Sequence, residues 1–161
     1  MKTRLSIALL SLSAAGLAGI AIHEGYRSRA YDDGVGVQTM GFGTTRHPDG
    51  RPVAPGDRVT PERALVMLAH DAARIEREIK MCIGDVPLHP HEWDALVSLA
   101  YNIGSAAFCK STLVKRLKAD PPDYAGACAE ILRWNKAGGR VLPGLVKRRE
   151  EEYRRCMGEA G

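Results

Sequence analysis

The chain has 161 residues, 45% apolar and 26% charged, with 17 glycines and 9 prolines spread along it rather than gathered in a tract. Those proportions fit one soluble domain, or one domain built as two lobes, and exclude a low-complexity or repeat architecture. The net charge of +4 is mildly basic and suits an anionic polymer or a membrane surface. The basic residues do not cluster, so nucleic acid is not an expected partner. The one dense run, Lys147 to Arg155, interleaves Lys147, Arg148, Arg149, Arg154 and Arg155 with Glu150, Glu151 and Glu152, and reads as a solvated helix face.

Lys2 and Arg4 precede an uncharged run from Leu5 to Ile22. As a helix this run is about 27 Å long, barely the thickness of a hydrocarbon core. Ten of its eighteen residues are Ala, Gly or Ser and only eight are Leu or Ile. Those eight give roughly −2.4 to −4.8 kcal/mol on insertion scales, and the small residues erode it. The run therefore engages the export machinery but holds a bilayer loosely. The positive flank puts the N-terminus in the cytoplasm and everything after Ile22 outside. A permanent anchor fits such a short, Gly-rich run poorly. Two outcomes remain: a signal peptide cleaved near Ser13-Ala14-Ala15, or a tether that inserts, pauses and later leaves.

From Tyr31 to Val59, glycines alternate with Val35, Val37, Thr39, Met40 and Phe42, which predicts a small antiparallel hairpin sheet. Thr60-Pro61-Glu62 reads as a helix start. Ala64, Leu65, Leu68, Ala72, Ile75 and Ile79 then mark one long amphipathic helix ending near Cys82-Ile83-Gly84. Pro90 opens another helix with Trp93, Leu96, Val97, Ala100 and Ile103 inside, Trp93 being core and His89 and His91 surface or capping residues. Ser111 caps a short helix through Leu117, Pro121-Pro122 breaks it, and Ala125 to Trp134 resumes. Gly138-Gly139 interrupts before a last helix from Pro143 to Met157.

Cys82, Cys109, Cys128 and Cys156 all lie beyond the apolar run, on the expected oxidising side. No CxxC or His spacing completes a metal site, so neither metal nor cofactor is expected. Two disulfides are expected, and of three connectivities we favour Cys109–Cys128, closing a helical hairpin, with Cys82–Cys156, tying the long helix to the last one.

Glycoside hydrolysis needs two carboxyl groups across the scissile bond. Glu24, at the end of the apolar run, suits a protonated acid, because burial there favours the neutral form. Asp33, in a Gly-rich turn, suits an ionised partner, and the Thr39 hydroxyl is placed to hold a water. Alone, the two acids read as a helix end and a turn residue. Their setting is more specific. The run His-Glu-Gly-Tyr-Arg, Ala-Tyr-Asp-Asp and Gly-Val-Gln-Thr-Met-Gly-Phe-Gly-Thr-Thr resembles the catalytic signature of phage-type lysozymes (glycoside hydrolase family 24). The likeness continues through Ala95–Gly104, Ala107–Leu113, Arg133–Gly139 and Pro143–Glu152.

The resemblance implies an α+β, mostly helical, two-lobed lysozyme-like fold with an extended polymer held between lobes. Residues 1–24 form an N-terminal segment that becomes the first helix, 25–60 a small sheet lobe, 61–82 a connecting helix and 83–161 a helical lobe. It implies hydrolysis of peptidoglycan between N-acetylmuramic acid and N-acetylglucosamine, with Glu24 as general acid, Asp33 and Thr39 handling water, and an inverting outcome. Asn102 and Trp134 are implied as cleft residues, although Trp134 fits core packing better. Arg148 and Arg149 read as surface residues, with pairing to an acid near the site as the alternative. Where many members have Gly-x-Gly-His-Thr, this chain has Thr44 after Gly43. The N-terminal run is similar to that of signal-arrest-release endolysins. That likeness implies a monomer that is first single-pass in the host inner membrane through residues 5–22 and later periplasmic. No cysteine lies within that run, so its refolding into the enzyme is the expected switch.

Overall fold

The computed structural model describes residues 3–159. Its elements are α1 (Ala14–Glu24), β1 (Arg27–Asp32), β2 (Gln38–Gly41), α2 (Pro61–Ile83), α3 (Pro90–Ile103), α4 (Ser105–Cys109), α5 (Thr112–Leu117), α6 (Tyr124–Glu130), β3 (Lys136–Ala137), β4 (Arg140–Val141) and α7 (Pro143–Cys156). The architecture is α+β and mostly helical. The chain divides into two units, Leu17–Arg74 and Met1–Gly16 with Ile75–Gly161.

The apolar run does not fold as one helix. Helix α1 starts at Ala14 rather than Leu5, and Ile7–Leu9 form a single 3-10 turn. The reason is competition for backbone N–H groups. Ser13 caps α1, its Oγ accepting from the Gly16 N–H at 2.9 Å. Its own N–H donates to Asp94 Oδ1 at 2.9 Å, and its hydroxyl donates to Oδ2 of the same carboxylate. The Leu12 N–H donates to Glu76 Oε1 at 2.6 Å. Leu5 exchanges backbone hydrogen bonds with Leu88 at 2.8 and 2.9 Å. Arg4 forks onto Glu92 at 3.1 and 2.7 Å and lies 3.5 Å over the Tyr124 ring. Ile7 and Leu10 are buried beneath these contacts. Three carboxylates on α2 and α3 thus receive residues 4–13. Among the described residues no helix is long and apolar enough to cross a membrane.

In the Leu17–Arg74 unit, β1 and β2 pair antiparallel with Tyr31 opposite Thr39 and Asp32 opposite Gln38. Met40, Val53, Val59, Ala64 and Met67 form the core beneath them. Helix α2 starts where expected, with the Thr60 hydroxyl accepting from the Arg63 N–H at 3.3 Å. Of its expected stripe Ala64, Leu68, Ala72, Ile75 and Ile79 are buried, whereas Leu65 is exposed and Met67 is inside instead. Residue 67 continues the i, i+3 row from Ala64, and that row faces the hairpin.

In the other unit, His89 caps α3 through a reciprocal box with Glu92, and Ser111 caps α5. Trp93, Leu96, Leu99, Phe108 and Ile131 are fully buried core. Gly138 and Gly139, at φ +55 and +76, are more than an interruption: they form the turn joining β3 to β4. The disulfides are Cys82–Cys109 and Cys128–Cys156, each with Cα atoms 5.7 Å apart, and not the expected Cys82–Cys156 and Cys109–Cys128. Cys109 ends α4 beside the last turn of α2, while Cys156 ends α7 on the side where α6 packs. Proximity follows from the short helix α4, which no local signal in the sequence announced. Loops of 27 and 28 residues are closed, each worth roughly 3–4 kcal/mol in the chain-entropy model.

Gly16 has no room for a side chain. A Cβ there would lie 2.8 Å from Asp94 Cγ and Oδ1 and 2.6 Å from Leu12 Cδ1. Gly16→Ala is therefore expected to push Asp94 off Ser13 and cost about 1–3 kcal/mol in denaturant unfolding. An unchanged midpoint would show that the carboxylate moves freely.

Candidate active site

Glu24 is the last residue of α1. Gly25, at φ +68, ends the helix at once, its N–H donating to Ala21 C=O at 3.0 Å. The chain then turns into β1, and Tyr26 donates from its hydroxyl to Val59 C=O at 2.6 Å. This abrupt stop leaves the partly buried Glu24 side chain beside the hairpin rather than extending the helix past it.

Asp33 sits in the exposed turn after β1. Its Oδ1 accepts from the Val35 and Val37 N–H groups at 3.0 and 3.2 Å. Asp32 does the same one residue earlier, its Oδ1 accepting from Gly34 and Gly36 at 2.7 and 3.1 Å. Both acids therefore organise the turn, and that turn fixes the direction of the Asp33 carboxyl. Thr39, in β2, is 6% exposed, and its hydroxyl reaches Val37 C=O only at 3.5 Å. That is the outer limit of a hydrogen bond, so little is lost when a better acceptor arrives.

Glu24 closely approaches the turn after β2 at Gly43. A Cβ on Gly43 would lie 3.2 Å from Glu24 Oε2, so the carboxylate rests against the bare backbone of the turn after β2. Phe42 in the same turn packs its ring 5.7 Å from that of Tyr26. The structure thus gathers Glu24, Asp33 and Thr39 in one unit, around one hairpin and its turn.

Asn102 and Trp134 belong to the other unit. Asn102, in the last turn of α3, accepts from Arg149 Nη2 at 3.0 Å. Trp134 is half-buried and lines a groove of about 510 Å³ with Lys110, Ser111, Thr112, Glu130 and Arg133, instead of filling the core. The Lys147–Arg155 run is not a wholly solvated face. Arg149 is 0% exposed, and Arg148 and Glu152 are also buried. Glu152 takes Ser98 Oγ at 2.7 Å, Arg148 Nε at 3.1 Å and Arg149 Nε at 3.0 Å. Burial pushes the Glu152 carboxyl up, against the two guanidinium groups.

The sequence reading gave Asp71 no role. It accepts the Thr44 hydroxyl on Oδ2 at 2.9 Å, and burial pushes its carboxyl above the ordinary aspartate range. The available signal was an acid at position 71, within the apolar stripe of α2. Among the described residues no group of three or more His, Cys, Asp or Glu is arranged to hold a metal.

A small hairpin unit and a mostly helical one are the parts of a lysozyme-like fold. The phage lysozyme family model matches residues 21–152. The chain is 40% identical over 147 residues to the endolysin of Acyrthosiphon pisum secondary endosymbiont phage 1, covering 89% of this chain and 95% of that one. It is 35% identical over 153 residues to the SAR-endolysin of Bacteriophage PS119, covering 94% and 87%. The solved endolysin from Escherichia coli O157:H7 phage FAHEc1 superposes with a TM-score of 0.82 at 35% identity, covering 94% and 96%. The chain belongs to the phage lysozyme family, and it is a glycoside hydrolase.

Gly43 is at φ +86 as well as against Glu24. Gly43→Ala is expected to fold with a loss of about 1 kcal/mol and to clear peptidoglycan at least about tenfold more slowly. A wild-type clearing rate would remove Gly43 from the site.

Proposed function

We propose that this protein is a phage endolysin that hydrolyses the β-1,4 bond between N-acetylmuramic acid and N-acetylglucosamine, opening the host wall for phage release. The observation that carries this reading is the seating of the Glu24 carboxylate against Gly43, in the hairpin that also bears Asp33 and Thr39. Glu24 donates its proton to the glycosidic oxygen as that bond breaks. Water held by Thr39 attacks the anomeric carbon from the opposite face, and Asp33 accepts the water's proton. The product is inverted, and each carboxyl ends in the protonation state its partner began in. Asn102 and Trp134 contact the glycan. The enzyme acts as a monomer and uses no cofactor.

Before this, residues 5–22 hold the chain in the host inner membrane after export, N-terminus in the cytoplasm. On release into the periplasm the segment takes the docked form, with Leu5 on Leu88, Arg4 on Glu92 and Ser13 on Asp94. Support comes from the weak apolar content of the run and from the likeness to the PS119 SAR-endolysin.

The chemistry is tested on purified peptidoglycan, with products read by mass spectrometry and by NMR of the first-formed anomer. New muramic-acid reducing ends of the α configuration are expected, with Glu24→Gln slower by about 10²–10⁴-fold. A Glu24→Gln variant as fast as wild type would refute the acid assignment, and a first-formed β anomer would refute inversion.

A further inference from the structure

The turn that meets Glu24 needs something to hold it still. Met40 and Thr44 close it with reciprocal backbone hydrogen bonds, both 3.0 Å. Inside it, Gly41 and Gly43 stand at φ +62 and +86. Glycine permits that shape but does nothing to enforce it. Stiffness must come from what the turn is seated on.

Helix α2 offers two seats on one face, seven residues apart. The first is steric. A Cβ on Gly41 would lie 3.1 Å from Ala64 Cβ, so the turn lies directly on the helix. The second is polar. Thr44, 1% exposed, donates its hydroxyl to Asp71 Oδ2 at 2.9 Å. A hydroxyl donating to a carboxylate makes a stronger, more directional bond than one donating to a neutral acceptor.

We propose that Asp71 is a positioning residue for catalysis, fixing through Thr44 the turn against which the Glu24 carboxylate rests and from which the Thr39 strand leads back. The proposal rests on the assignment of Glu24 as general acid. Fold stability alone does not call for this arrangement. An apolar pair of similar volume would fill the space without desolvating a carboxylate. Asp71 is kept there although burial pushes it up, with the Thr44 hydroxyl, Arg74 and His70 only partly offsetting that. What the acid supplies is direction, at the one turn where Glu24 meets the hairpin.

The test uses the full chain with Thr44→Val, which keeps the shape and removes the donor, and Thr44→Ser, which keeps the donor. Two readings are taken: steady-state kinetics on peptidoglycan, and the carbon-13 chemical shift of the Glu24 carboxyl at one fixed pH. Thr44→Val is expected to lower kcat at least about tenfold with KM within about twofold. It also moves the carbon-13 resonance of the Glu24 carboxyl, because the carboxyl loses its fixed surroundings. Thr44→Ser stays within about threefold of wild type, and Thr44→Val combined with Asp71→Asn is no slower than Thr44→Val alone. Should Thr44→Val not fold, Thr44→Ala replaces it with the same expected outcomes. Wild-type kcat and an unmoved Glu24 carboxyl resonance in the donor-less variant would overturn the proposal, as would an equal loss in Thr44→Ser. If the wild type itself cleaves no glycan, the catalytic reading fails, while the Glu24 carboxyl resonance still decides whether Thr44 positions that carboxyl.

Discussion

If the N-terminal segment is held in the membrane before release, as proposed, one stretch of chain has to satisfy its backbone in two solvents. In a bilayer every N–H and C=O of residues 5–22 must be bonded within the segment, which only a helix achieves. In the folded enzyme, residues 4–13 give up that helix and hand their donors to Glu76, Glu92 and Asp94. Leu5 borrows a strand partner in Leu88. The abundance of Ala, Gly and Ser in the run serves both ends. It keeps insertion weak, and at Gly16 it lets Asp94 approach where any side chain would block it.

The far end of the same segment delivers Glu24. Gly25 stops α1 within one residue, and the carboxylate meets Gly43 instead of solvent alone. From there the geometry passes through short links. Gly43 lies in a turn seated on Ala64 and Asp71, the turn continues β2, and β2 pairs with the strand that ends at Asp32. The first links use glycines and a hydrogen bond to a carboxylate, and the last uses strand pairing. Small displacements at any of them reach the acid.

Local signals in the sequence were enough for most elements. Thr60-Pro61-Glu62, Pro90 and Ser111 mark helix starts because capping chemistry is local. Glu24, Asp33 and Thr39 were proposed through their spacing and family resemblance, and all three lie in the Leu17–Arg74 unit. The misses share a cause: they depend on which elements pack together. Cysteine spacing does not reveal that α4 brings Cys109 to Cys82. A mixed-charge run looks solvated until Ser98 and Asn102 on α3 are seen to satisfy Arg148, Arg149 and Glu152. Thr44 in place of His looked like a local change, yet its meaning lies in Asp71, on another element. The Leu5–Ile22 run read as a single helix because hydropathy does not show the acids waiting elsewhere in the chain.

The central claim is that docking of the N-terminal segment and catalytic competence go together. It is tested most directly by placing the full chain in vesicles holding a membrane potential and assaying peptidoglycan cleavage before and after an ionophore collapses it. The account predicts negligible cleavage while the segment is inserted and full cleavage once it is released. Equal cleavage by the inserted chain would contradict it.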